Sequence, residues 1–152
     1  MANLLKFSML ILFLCCNVTL TVAQSESADA ATTETIYEVY NPKTKKWEVK
    51  ELDKNPVANG GDENFWNIVN SQMMYPDRAQ RSKTEGDVVL TMTISERGEL
   101  IELLVKEELG AGCDEEAFNA IRVASTNRFV PGMVDGKPVR TRYDVSINFS
   151  LR

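Results

Sequence analysis

The sequence contains no histidine. That removes the commonest general base and the commonest metal ligand. A Ser–His–Asp triad and any His-bearing zinc site are excluded with it. Cysteine is scarce: Cys15, Cys16 and Cys113 are all there are. The first two lie in an apolar N-terminal segment, so a chain that has shed that segment keeps Cys113 alone. No internal disulfide can then form, and the fold depends on its core. Basic residues are outnumbered by acidic ones, for a net charge of −5. Nucleic acid is not an expected partner, because phosphate binding needs clustered Lys and Arg. Charge attachment to anionic lipid is disfavoured for the same reason. The adjacent acids Glu107-Glu108 and Glu115-Glu116 are the only carboxylate pairs that suggest catalysis. The first ends an expected strand and the second opens an expected helix, and local charge effects account for both. No catalytic residue, cofactor or metal is expected, and the chain does not read as an enzyme.

The N-terminus reads as an export signal. Lys6 supplies a positive start, and Phe7–Cys16 is almost wholly apolar, the length of a signal-peptide core. Thr21-Val22-Ala23 before Gln24 makes an acceptable cleavage site, which predicts a signal peptide over 1–23 and a periplasmic mature chain. Two other readings stay open. Residues 7–23 could anchor the chain in a membrane, although these 17 residues fall short of the roughly 20 apolar residues of a span. A lipidated N-terminus would use Cys15 or Cys16, but Leu14 and Cys15 precede them where a small residue is usual.

Residues 24–61 read as a spacer. Gln24–Glu34 lacks large apolar residues. Ile36–Leu52 differs: two β-prone runs, Ile36–Tyr40 and Trp47–Val49, flank the turn-forming Asn41-Pro42, which predicts a hairpin over 36–52. Pro56, Gly60 and Gly61 then mark a loop.

From residue 62 the pattern changes. Phe65, Ile68, Val69 and Met73 recur at helical spacing, with Asp62 as the expected N-cap and Tyr75-Pro76 as the expected end. Gly86–Ser95 alternates, with Val88, Leu90, Met92 and Ile94 on one face. After a turn at Gly98, Leu100–Val105 reads as a second, antiparallel strand presenting Ile101, Leu103 and Val105 to the core. Asp114 is the expected N-cap of a second helix with Ala117, Phe118, Ile121 and Ala124 on its apolar stripe. Cys113 and Phe118 have the spacing of a hydrophobic staple, so Cys113 reads as a small apolar residue. Val139–Leu151 alternates throughout and reads as one long final strand. The order helix–strand–strand–helix–strand predicts an α+β fold: an antiparallel three-stranded sheet packed against two helices, preceded by the hairpin.

Several short motifs share an order and spacing with a known family. Tyr75-Pro76, Arg78-Ala79-Gln80, Glu85-Gly86 and Val88 resemble the opening of a TonB C-terminal domain. Gly98, then Asp114, Ala117 and Ile121, fit its strand turn and second helix. Phe129-Val130-Pro131-Gly132 is similar to its aromatic-x-Pro-Gly motif, where tryptophan is more usual at the first position. Gly136-Lys137-Pro138-Val139 and Ile147-Asn148-Phe149 resemble its ending, and Gly60-Gly61-Asp62-Glu63 resembles the lead-in of the Bacteroidetes type. The resemblance covers about 90 of 152 residues, which places the domain at 62–152.

The resemblance implies a function. TonB connects an inner-membrane motor to outer-membrane transporters, and its C-terminal domain takes up an N-terminal transporter segment, the TonB box, by adding it to the last strand. The matching edge carries Arg140, Arg142, Asp144, Ser146 and Asn148, with Tyr75 and Pro76 as flanking contacts. The expected partner is therefore the N-terminal segment of a TonB-dependent transporter. A homodimer through the last strand is a second arrangement that an exposed edge invites, and the hairpin itself could cover that edge. Two features of a full transducer do not match. The family's membrane anchor carries a histidine, and its linker is long and rich in proline. Here Pro42 and Pro56 are the only prolines before the domain, and a flexible spacer of this length reaches only about 34 Å. A short anchored transducer and a structural envelope protein reusing the fold therefore stand beside the peptide-binding module as alternatives.

Overall fold

The computed structural model describes residues 35–151. The expected signal segment, its anchor and lipidation alternatives, and the spacer up to residue 34 lie outside the described residues.

In chain order the elements are β1 (Glu38–Asn41), β2 (Lys46–Val49), β3 (Val57–Ala58), α1 (Asp62–Gln72), α2 (Asp77–Ser82), β4 (Gly86–Ile94), β5 (Leu100–Glu107), α3 (Cys113–Ala124), β6 (Phe129–Val130), β7 (Met133–Val134), β8 (Lys137–Pro138) and β9 (Thr141–Phe149). The main sheet runs β2-β1-β9-β4-β5, antiparallel at every junction. The α+β class is as expected, but the sheet has five strands, not three. The expected trio β9-β4-β5 is its centre and one side. The hairpin supplies the other two strands, because an isolated hairpin is marginal in water and gains stability by docking.

The core lies between one sheet face and the helices. Val88, Leu90, Met92 and Ile94 of β4 are fully buried, and Ile147 and Phe149 of β9 join them. Phe65 and Val69 of α1 and Ala117, Ala120 and Ile121 of α3 close over them. Cys113 is buried in the same cluster, so its thiol packs as an apolar group. Burial, then the acids Asp114, Glu115 and Glu116, raises its pKa and keeps it protonated.

Several expectations are corrected. Among the described residues there are three helices: α2, a six-residue helix after Pro76, is too short for apolar periodicity to register. The N-cap of α1 is Gly61, and Asp62 sits one place inside, its carboxylate accepting the Ala58 N–H at 3.3 Å. Helix α3 is capped at Gly112. Asp114 instead turns its carboxylate back onto the Leu109 and Gly110 amides at 2.7 and 2.9 Å, so both acids fasten the preceding loop. Ile101 is exposed, because the register slips from Thr93↔Glu102 to Ile94↔Leu100. That slip is a bulge. It leaves Ile101 opposite no residue and turns Leu100 toward the core.

The last strand also stops short of Val139–Leu151. Its ladder with β4 ends where β4 ends, at Ile94↔Thr141 and Gly86↔Phe149. Val139 instead donates its N–H to Gly132. The Gly98 turn has a φ of +76°, and Gly98 accepts the Phe129 N–H at 2.7 Å. The strand β6 beginning at Phe129 pairs with β3, so the 53–58 segment is tied to the domain.

Candidate functional site: the outer edge of the last strand

Strand β9 is flanked unequally. Along one side β4 pairs with all of it, from Thr141 to Phe149. Along the other, β1 is in register only at Glu38↔Arg142 and Val39↔Thr141, and Tyr40 donates its N–H to the Arg140 carbonyl at 3.0 Å. That bond places the backbone groups of Arg140 on the β1 side. In an antiparallel strand a residue's N–H and C=O point the same way, and the direction alternates. The backbone groups of Arg142, Asp144, Ser146 and Asn148 therefore also face outward. Beyond Glu38 no β1 residue is registered against them. From Asp144 to Asn148 the edge has no strand beside it among the described residues.

The hairpin is held at the covered end by the two arginines. Arg142 donates from Nε to the Glu38 carboxylate at 2.7 Å, its Nη2 lies 2.6 Å from the same oxygen as an ion pair, and its guanidinium lies 4.5 Å from the Trp47 ring centre. Arg140 lies 5.1 Å from the centre of the Tyr40 ring. Its Nε is 3.8 Å from Glu96, an ion pair without a hydrogen bond. The hairpin turn is ordered by Asn41, whose side-chain oxygen accepts the Lys43 and Thr44 amides.

The five edge residues thus divide. Arg140 and Arg142 are engaged with the hairpin, whereas Asp144, Ser146 and Asn148 are exposed. Asp144 receives Lys106 Nζ at 2.5 Å and Thr91 Oγ1 at 2.6 Å across the open sheet face. Burial alone would raise its pKa. The hydrogen bonds from Lys106 and Thr91, with the charges of Lys106 and Arg142, outweigh burial and hold it below the ordinary value. Asn148 donates to Asp87 at 2.8 Å. Tyr75 and Pro76 are packing residues. The Tyr75 hydroxyl donates to the Thr84 carbonyl at 2.6 Å, and its ring stands edge-on to Phe149 at 5.7 Å. Pro76 caps α2. Tyr75 therefore lies under the Phe149 end of the edge and is not part of its outer row.

Sequence reasoning missed the residues on the helix side of the edge. A cleft of about 170 Å³ is lined by residues that include Tyr37, Asp62, Trp66, Tyr143 and Val145. The alternation in β9 places Tyr143 and Val145 on that face. Nothing in the local pattern could bring Tyr37 and Trp66 to it. The Tyr37 and Tyr143 rings meet at 5.3 Å. Burial, with Tyr37 and Asp62 behind it, pushes the Tyr143 phenol well above its ordinary pKa. Among the described residues no cluster of acids and cysteine could hold a metal, and no helix is long and apolar enough to cross a membrane.

Fold and edge together define a class: a small α+β domain whose sheet stays open along part of one strand. The chain belongs to the family of the Gram-negative bacterial TonB protein C-terminal domain, whose family model matches residues 71–151. Members of that family are interaction modules with a TonB-like role in energy-coupled transport in the cell envelope, and they are not enzymes. Among solved structures, the solution structure of the Helicobacter pylori TonB C-terminal domain (residues 179–285) is similar. It has 21% identity and a TM-score of 0.47, over 63% of this chain and 85% of that one. No individually curated protein matches the chain.

Proposed function

We propose that this protein is a periplasmic peptide-capturing module of TonB-dependent outer-membrane transport. It takes up an extended segment, such as the N-terminal TonB box of a transporter, by strand addition to β9. The observation that carries this reading is the stretch Asp144–Asn148, whose outward backbone groups continue the line of β1 beyond its last registered residue. A row of unpaired N–H and C=O groups is a template for an added strand. Asp144, Ser146 and Asn148 provide the hydrogen bonds. Arg140 and Arg142 set where the free edge begins by fixing the hairpin.

The test is an NMR titration with N-terminal peptides from the host's own TonB-dependent transporters. Saturable shifts of the Asp144, Ser146 and Asn148 amides, with Val88 and Leu90 unmoved, are expected. If shifts occurred only elsewhere, or no such peptide bound the folded protein, transporter capture at this edge would be wrong.

A further inference from the structure

The cleft opens beside Val145, within the free stretch of β9. Its walls carry aromatic rings from Tyr37, Trp66 and Tyr143. Asp62 adds a carboxylate, and no lysine or arginine lines it. Asp62 forms no ion pair among the described residues, whereas Asp144, also in the lining, is already held by Lys106. The Asp62 charge reaches the cleft, since after burial it is the next influence raising the Tyr37 phenol.

Register determines which peptide residue would meet this cleft. In a paired strand, residues directly opposite one another have side chains on the same face. A peptide residue opposite Asp144 or Ser146 points to the open, polar face. The residue opposite Val145 points to the helix side, where the cleft lies. An apolar cavity of about 150 Å³ admits a benzene-sized group, so a cleft of about 170 Å³ has room for one large side chain.

Charge selects among large side chains. A leucine or phenylalanine would remove water from Asp62 without giving it a partner. A glutamate would bring a like charge beside it. A long basic side chain lays an apolar stem along Trp66 and Val145 while its head stays polar, and aromatic walls attract that head.

We propose that the cleft is a subsite for an arginine or lysine side chain of the added peptide, placed opposite Val145 and paired with Asp62. This rests on the strand-addition reading. It selects extended peptides with a basic residue facing the helices.

Capped threonine heptapeptides with Arg, Leu or Glu as the last residue but one, so that an antiparallel peptide sets it opposite Val145 and ends opposite Asp144, clear of the hairpin, are titrated into the protein and into Asp62→Asn. Asparagine keeps the oxygen that accepts the Ala58 N–H, so the helix start is retained. Amide shifts at Asp144, Ser146 and Asn148 report pairing, and relative affinity reports the subsite. The Arg peptide should bind about fivefold more tightly than the Leu peptide, with Glu weakest. In Asp62→Asn the preference should shrink to about twofold or less. Equal affinities, or a preference that survives Asp62→Asn while the edge amides still shift, would overturn the subsite and leave strand addition standing. No edge shift with any of these peptides would overturn both.

Discussion

Arg142→Glu should release the β1–β2 hairpin while the rest of the sheet stays folded. The wild-type guanidinium grips Glu38 with a hydrogen bond of 2.7 Å from Nε and an ion-pair contact of 2.6 Å from Nη2. The Arg142 and Glu38 side chains are 29% and 34% exposed, so solvent screening reduces the pair to about 1 kcal/mol. The contact with Trp47 at 4.5 Å adds about 0.5–1 kcal/mol. Reversing the charge also sets two carboxylates opposite each other, at a cost of up to about 1 kcal/mol. The total is about 1.5–3 kcal/mol. Against it stand the buried Val39 side chain, about 1.5–3 kcal/mol, and the Tyr37–Tyr143 ring contact, about 0.5–1.5 kcal/mol. These quantities are close, so the hairpin should open often and not vanish. At tenfold per 1.4 kcal/mol, local opening should rise roughly 10- to 140-fold. Native-state hydrogen exchange reads this directly. The Tyr40 amide, bonded to the Arg140 carbonyl, should lose protection by that factor, while the Leu90 and Met92 amides keep theirs. Glu38→Arg combined with Arg142→Glu should restore much of it. Unchanged protection at Tyr40 in the single variant would refute the role assigned to this ion pair.

Gly98→Ala should destabilise the domain by more than about 3 kcal/mol, because its φ of +76° is strained for alanine and its Cβ would lie 1.8 Å from the Phe129 carbonyl oxygen. Thermal unfolding should fall by roughly 10 °C or more, and a change of only a degree or two would contradict the close approach. Asp144 should titrate below its ordinary value of 3.8. A carboxyl lowered by folding stabilises the protein above the unfolded pKa, and that contribution disappears as pH falls through the folded one. Its carboxyl carbon, followed by NMR, should show a midpoint under 3.8 that rises in Lys106→Ala; a parent midpoint at or above 3.8 would disprove the pairing.

Much of this fold was legible because its signals are local. The alternation of β4 reports one buried face, and the structure buries Val88, Leu90, Met92 and Ile94 together. The α3 stripe behaves likewise. The errors arise where a distant partner decides. Asp62 and Asp114 look like N-caps, yet glycines with positive φ, one place before Asp62 and two before Asp114, take those positions, and the carboxylates bond to loop amides. Ile101 sits in an alternating run, but a bulge displaces it, and the bulge depends on how β5 meets β4. The hairpin was visible from Asn41-Pro42 and its β-prone flanks. Its docking against Arg140 and Arg142 depends on contacts about a hundred positions away in the chain. The cleft was illegible for the same reason: Tyr37, Trp66 and Tyr143 have no shared local pattern.

The hairpin also bears on how selective the edge must be. It covers Thr141 and Arg142 and, among the described residues, leaves the outward backbone groups of Asp144, Ser146 and Asn148 beyond it. Each hydrogen bond made there contributes about 0.5–1.5 kcal/mol net, because water is displaced from both partners. Association costs about 4–15 kcal/mol in lost freedom. Backbone pairing along so short a stretch therefore leaves little surplus, and it is blind to sequence. Any tight or selective capture must draw on side chains, and the cleft beside Val145 lies on the face where alternate peptide side chains would project. Opening the hairpin would lengthen the edge toward Arg140 and raise affinity for every extended peptide, without improving discrimination among them. Under the proposed function, Arg142→Glu should therefore bind all three threonine peptides, when lengthened at their C-terminal ends, more tightly while keeping their order of preference. A loss of binding in that variant would instead mean that Arg142 contacts the peptide itself.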